Sequence, residues 1–198
     1  MAAETSFVMG DSELSGASEA RGDVWIFGYG SLIFRPEFSY QERRVARLDG
    51  FERRFWQSSP DHRGTPRTPG RVVTLLESPR ASVLGVAYRV LAARAAGVLR
   101  ELDERERAGY ERVELGIDFT EPPFGRVSAQ IYRARAGNPG FVGDASNEQI
   151  AAVVRVARGP SGDNVSYVKR LAEALRELGD EDAHVAAIER LLADRSEI

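Results

Sequence analysis

The sequence predicts an α+β fold whose strands close, or nearly close, into a small barrel. Strand-like runs fill the first two-thirds of the chain, helical periodicities fill the last third, and the two do not strictly alternate. Glycines interrupt the longer strand-like runs, as expected where strands bend to close a barrel. With 198 residues, 42% hydrophobic and 29% charged, the chain has the apolar content of one globular domain.

Residues 1–23 are small, polar and acidic, and are expected to form a disordered leader. They lack the basic start and apolar segment of a signal peptide. Residues 24–198 are expected to form a single domain that includes the C-terminal helices. "DVWIFGY" (23–29) is a short apolar strand ending at glycine. "RVARLDGFERRFWQ" (44–57) is a long strand with Gly50 as a bulge or bend. "SPDHRGTPRTPG" (59–70) is a loop, punctuated by proline and glycine. "RVVTLLE" (71–77) and "SVLGVAYRV" (82–90) are read as two strands joined by a proline-containing turn. A helix is expected over about 91–107. "YERVELGIDF" (110–119) and "RVSAQIYRA" (126–134) flank the turn "TEPPFG". "SNEQ" (146–149) has the pattern of a helix capping box and precedes Ile150, Val153 and Val154. "GPSGDN" (159–164) then breaks the helical pattern, with Ser161 or Asn164 as a cap. Two more helices follow, on Val168, Leu171 and Leu175, and on Val185, Ile188 and Leu192.

Composition narrows the chemistry. Net charge is −3, which does not favour nucleic acid or an anionic membrane as partner. There is no cysteine, which excludes disulfides, thiolate catalysis and cysteine zinc sites and gives secretion no support. No apolar stretch approaches the ~20 residues of a transmembrane helix, so a cytoplasmic location is expected. His62 and His184 are the only histidines, so a histidine-rich metal site is not expected. All but one of the 27 basic residues, Lys169, are arginine, a bias from which no function follows.

In "LRELDERERAGY" (99–110) the charges separate on a helical wheel. Leu91, Ala95, Val98, Leu99 and Leu102 fall into one stripe, and Glu106, four residues after Leu102, shares it. Glu104 points the opposite way. A carboxylate carried on the core side is costly unless paired, and burial raises its pKa toward the range useful for proton transfer. Gly109 follows and can end the helix with φ > 0. An internal ion pair with an arginine explains the position as well.

"WIFGYGSL" (25–32) ends an apolar strand on two glycines, an aromatic and a hydroxyl. Its glycines serve a turn geometry, or they open a nest of N–H donors to a carboxylate or developing oxyanion. It is neither a phosphate-binding loop nor a dinucleotide fingerprint, because Phe34 stands at the third glycine position. It is not a nucleophile elbow either, because Leu32 and Ile33 follow Ser31.

Taken together, "VWIFGYGSLIF", "RRFWQSSPDHRGTPRTPGRVVTL", "GVAYRV", "LDERERAGYERV" and "GPSGDNVSYV" closely resemble the ChaC-type γ-glutamylcyclotransferases, from about Val24 to the final helices. The resemblance implies a γ-glutamylcyclotransferase-like mixed β-barrel with flanking helices. It also implies cleavage of glutathione to 5-oxoproline and cysteinylglycine without a cofactor or metal. Carried over by position, Tyr29, Gly30, Ser31 and Leu32 hold the γ-glutamyl group, largely through main-chain N–H groups. Glu106 falls on the catalytic glutamate and Tyr110 lies near the substrate. Ala108 stands where the family usually has glycine, and Glu104 replaces a common aromatic. Arg54, Arg63 and Arg71, with Asp61 and His62, lie in or beside the family-like loop. An arginine there suits the glycyl carboxylate of glutathione, and an ion pair pinning the loop explains each one equally. Cyclisation of other γ-glutamyl peptides or amines, non-catalytic binding of a γ-glutamyl metabolite, and a serine hydrolase on Ser31 and His62 stay open as alternatives. So does nucleic-acid binding by the arginine-rich 43–71 region.

Overall fold

The computed structural model describes residues 22–106, 109–134 and 137–194. Most of the expected leader, residues 1–21, lies outside the described residues, as does Ala108. Five strands form the barrel: β1 (Val24–Gly28), β2 (Glu42–Ser59), β3 (Gly70–Val90), β4 (Tyr110–Phe119) and β5 (Arg126–Ala134). Their order is β1-β3-β2-β4-β5, and β5 returns to β1. That closing pair is parallel and the others are antiparallel, so the barrel is closed and mixed.

β2 and β3 form one long hairpin, and they depart from the sequence expectation in one respect. Residues 71–90 are not two strands joined by a turn but one continuous strand. The register explains it. Phe51 pairs with Glu77 and Asp49 with Ser82, so Gly50, at φ 83°, faces the four residues that include Pro79. The proline, which lacks an N–H, sits where the ladder is already interrupted. Strand and bulge bend together, and the chain never reverses.

Helix α1 (Ala92–Arg105) follows β3, and α2 (Asn147–Val156), α3 (Asn164–Glu177) and α4 (Ala183–Ala193) follow the barrel. The N-terminus of α1 is met by Asp23, whose carboxylate accepts from the Ala92 N–H at 3.1 Å and from Arg89 at 2.7 Å. Asp23, the last residue of the expected leader, is thus tied to the barrel. The α2 capping box forms as the sequence predicts: Gln149 N–H donates to Ser146 Oγ, and Ser146 N–H donates to Gln149 Oε1. α3 is capped differently. Asp163, not Ser161 or Asn164, accepts from the Ser166 N–H at 2.7 Å.

The three C-terminal helices share one core with the barrel. Ile150, Val154, Leu171, Leu175 and Ile188 pack with Phe27, Phe55 and Ile117, all essentially excluded from solvent. Burying an aliphatic or aromatic side chain of this size stabilises by about 1.5–3 kcal/mol. A smaller cluster of Ile26, Leu32, Val90, Val98, Leu102 and Tyr132 seats α1 on the barrel. Among the described residues, no helix is long and apolar enough to cross a membrane.

Candidate active site

The turn after β1 is built by close approach. A Cβ on Gly28 would stand 2.5 Å from Leu32 Cβ, so only glycine lets the chain fold back there. Ser31–Ile33 then make one 3-10 turn. Ile33 donates to the Gly30 carbonyl at 3.0 Å and Phe34 to the Ser31 carbonyl at 3.2 Å. Among the described residues, the N–H groups of Ser31 and Leu32, which precede these bonds, donate to no backbone acceptor. Buried groups lock the turn from both sides. Tyr29 Oη donates to the Tyr132 carbonyl at 2.6 Å, Arg53 Nε to the Tyr29 carbonyl at 2.8 Å, and Tyr88 Oη to the Leu32 carbonyl at 2.7 Å.

Beside this turn is a cavity of about 340 Å³, a volume suited to a small molecule. Tyr29, Gly30, Ser31 and Leu32 line it, and so do Glu106 and Tyr110. α1 ends at Arg105, at the cavity wall, and Glu106 is the residue that caps it, at φ −94° and ψ 8°. The helical stripe therefore carries Glu106 inward as the sequence predicts, although it sits just past the last helical residue. Gly109 adopts φ 103°, the left-handed conformation expected of it, and returns the chain into β4. The Glu106 side chain is 19% exposed. Burial pushes its carboxyl above the usual glutamate range; Arg105 and His62 pull it down, and Asp61 adds to the rise. The phenols of Tyr29 and Tyr110 are held well above the ordinary tyrosine value by burial, so both are neutral hydroxyls. Tyr110 Oη donates to the Val73 carbonyl at 2.8 Å.

Of the three arginines named from the sequence, only Arg63 lines the cavity. Its guanidinium donates to the Ser161 carbonyl at 2.7 Å and lies over the Tyr167 ring, so it pins the "GPSGDN" turn to the cavity wall. Arg54 lies outside the cavity wall and pairs with Glu52 at 2.6 Å. Strand alternation is the cause, since its neighbour Arg53 takes the inward position. Arg71 also lies outside the wall; its backbone is clasped by Asn164, and its Nη1 is buried with no hydrogen-bond partner among the described residues. Asp61 and His62 do reach the cavity. His62 Nδ1 lies 3.2 Å from Ser161 Oγ, and among the described residues it makes no hydrogen bond to Ser31, the pair that the serine-hydrolase alternative requires.

Sequence reasoning missed Arg35, Arg105 and Tyr167, all of which line the cavity. Arg105 is adjacent to Glu106 in "RERAGY", and a wheel drawn for a continuing helix points the two apart. Tyr167 lies within "GPSGDNVSYV", where helical spacing alone makes it a core residue. Among the described residues, no group of three His, Asp or Glu side chains is placed to hold a metal ion.

A closed mixed barrel with helices packed on it, and an inward carboxyl facing a glycine turn, defines a γ-glutamylcyclotransferase-like fold. The crystal structure of a selenomethionine-labelled γ-glutamylcyclotransferase specific to glutathione from yeast superposes on it with a TM-score of 0.80, at 28% identity, covering 89% of this chain and 98% of that one. The chain belongs to the ChaC-like protein family, whose model matches residues 24–195. It is 42% identical over 169 residues to the glutathione-specific γ-glutamylcyclotransferase 1 of Homo sapiens, covering 83% of this chain and 76% of that protein. The Danio rerio protein of the same name is 39% identical over 181 residues, covering 87% of this chain and 90% of its own length. The glutathione-specific γ-glutamylcyclotransferase of Saccharomyces cerevisiae is 34% identical over 200 residues, covering 78% and 86%.

Proposed function

We propose that this chain cleaves glutathione to 5-oxoproline and cysteinylglycine, with Glu106 as the proton shuttle. The observation that carries the reading is the shared cavity of one inward carboxyl, Glu106, and the N–H groups of the Ser31–Leu32 turn. In a γ-glutamyl peptide the α-amine reaches its own γ-carbonyl and closes a five-membered ring. Nucleophile and electrophile belong to one molecule, so holding the folded conformer supplies much of the rate. The α-ammonium, with a pKa near 8, must first lose a proton. Glu106 accepts it, and the amine attacks the γ-carbon. The carbonyl oxygen becomes an oxyanion, which the turn's N–H groups stabilise. The ring nitrogen gives up its second proton, the C–N bond to the cysteinyl nitrogen breaks, and Glu106 returns the proton it took to the departing amine, so that 5-oxoproline leaves as a neutral lactam and cysteinylglycine as its ammonium. A carboxyl with a raised pKa suits both transfers.

The turn's N–H groups also receive the glutamyl carboxylate, and Tyr29 and Tyr110 wall the pocket with neutral rings. Arg35 and Arg63 face the same cavity and suit the glycyl carboxylate of a tripeptide. This favours glutathione over γ-glutamyl amines that lack that carboxylate. A cytoplasmic location belongs to the same proposal and is checked by cell fractionation.

Purified protein given glutathione, and separately γ-glutamyl-alanine, is assayed for 5-oxoproline. Glutathione is expected to be converted faster. Glu106→Gln is expected to lose roughly two to four orders of magnitude in kcat, the span usual for removal of a general acid–base, while binding of glutathione persists. Wild-type turnover in Glu106→Gln refutes the assignment. The substitution also has a stability signature. A folded pKa above the unfolded value means that the folded chain loses stability as pH rises through that folded pKa. At pH 7 to 8 the glutamine variant is therefore expected to be no less stable than wild type.

A further inference from the structure

Arg105 makes three contacts that join separate parts of the site. Its Nη2 donates to Ser31 Oγ at 2.8 Å, its Nη1 donates to Glu37 Oε2 at 3.2 Å, and its Nε lies 3.3 Å from Glu106 Oε1. The last contact is unusual. Consecutive residues of a helix do not face one another. Here the helix stops at Arg105, and the non-helical backbone of Glu106 lets the carboxyl swing back to the guanidinium. The other two contacts reach across the fold to the turn after β1 and to the segment beyond it. The planar guanidinium makes all three at fixed angles, which an ammonium does not.

We propose that Arg105 is the positioning residue of this site: its guanidinium fixes the Glu106 carboxylate and the Ser31 turn in one relation, so that base and N–H cradle address the same substrate. The inference rests on the proposed function and adds to it. Glu106 alone on the end of a helix has free rotamers, and most of them miss a substrate held by the turn. Arg105 selects one of them. Ser31 in turn is used through its hydroxyl as an anchor for Arg105, while its N–H stays with the substrate. Other charged and titratable groups also face Glu106. Among the described residues that line the cavity they are Asp61, His62 and Arg63 from the β2–β3 loop, Arg35 and Glu37 after the turn, and the neutral phenols of Tyr29, Tyr110 and Tyr167. Among the described residues, Arg105 is the one in ion-pair contact with the carboxylate.

Two variants separate the guanidinium's charge from its shape. Arg105→Gln removes both. Its kcat is expected to fall by on the order of tenfold to a hundredfold, with a smaller change in KM. The acidic limb of its pH–rate profile is expected to move up by about half a unit or more, since a cation that favours the carboxylate is gone. Arg105→Lys keeps the charge but spans fewer contacts. Its kcat is expected to fall while its acidic limb stays near the wild-type position. Arg47→Gln, which breaks an exposed pair with Asp49 on the barrel surface, is the control and is expected to match wild type. The folded state of each is checked by its melting transition; if the glutamine variant does not fold, the lysine variant decides the matter. Wild-type kcat and an unmoved acidic limb in the folded variants overturn the proposal. An inactive wild-type protein, or an active Glu106→Gln, instead overturns the reading on which it rests.

Discussion

His184, in the first turn of α4, is held by the fold in its neutral form. It lies at the edge of the α4 apolar stripe, and its Nε2 accepts a hydrogen bond from the Phe55 N–H at 3.1 Å. Only the neutral ring accepts there, and burial, helped by Arg54, pulls its pKa down to about 4 from an ordinary value of 6.5. The folded chain therefore holds fewer protons than the unfolded chain between pH 6.5 and about 4. Stability from this group is complete above that window and drains away as pH falls through it. His184→Gln does not titrate. The stability gap between wild type and this variant, measured by urea unfolding, is expected to be larger at pH 7.5 than at pH 5. A gap that does not change with pH would contradict this account. Glu106 shifts in the opposite direction for the same reason, since desolvation disfavours whichever form is charged.

At the scale of elements, the "GPSGDN" segment serves as more than a connection between helices. β6 (Arg158–Gly159) and β7 (Gly162–Asp163) pair across it, and the tip is drawn against the cavity by Arg63. A Cβ on Gly159 would meet the His62 carbonyl at 2.3 Å, which shows how tightly the hairpin approaches the 62–64 loop. Asn164 then joins α3 to β3. It is fully buried, accepts from the Arg71 N–H at 2.6 Å and donates to the Arg71 carbonyl at 2.9 Å. This is a sheet-like pair made by a side chain. Asn164→Ala leaves both backbone groups unpaired in a buried place, and each costs about 1–3 kcal/mol. The melting temperature is expected to fall accordingly. Because α3 also carries Tyr167 into the cavity, KM for glutathione is expected to rise with it. An unchanged melting temperature would mean that water replaces the amide without cost.

Across the whole molecule, Arg53 ties barrel, turn and C-terminal helices together. It is 1% exposed and donates to the Tyr29 carbonyl, the Leu84 carbonyl and, at 2.7 Å, to Asp182, the cap of α4. A buried pair is a poor source of net stability, but breaking one by removing a single partner costs about 3–5 kcal/mol. Arg53→Met is therefore expected to destabilise strongly in a denaturant titration. Its effect on activity is expected to exceed that of Arg54→Ala, which removes contacts to Glu52 and the Arg53 carbonyl, both outside the cavity wall. Equal effects of the two substitutions would show that the Tyr29 carbonyl does not need its anchor.

The sequence by itself determined most of the elements and the family. Period-3.6 stripes gave α1 to α4 and the inward side of Glu106, glycine positions gave the turn after β1 and the bulge at Gly50, and the long ordered motifs gave the family. These are local signals, written in spacing and in residues with special backbone freedom. Only the tertiary structure decided which arginines meet the cavity. Arg53, Arg54, Arg63, Arg71 and Arg105 look alike in the sequence, and a one-residue step along β2 separates a core anchor from an outer ion pair. It also decided that Pro79 sits opposite a bulge rather than in a turn, that Asn164 pairs with a strand, and that Arg105 bends back to its neighbour. Each of these depends on register or on a helix's last residue, and pairing across the barrel, not local propensity, sets both.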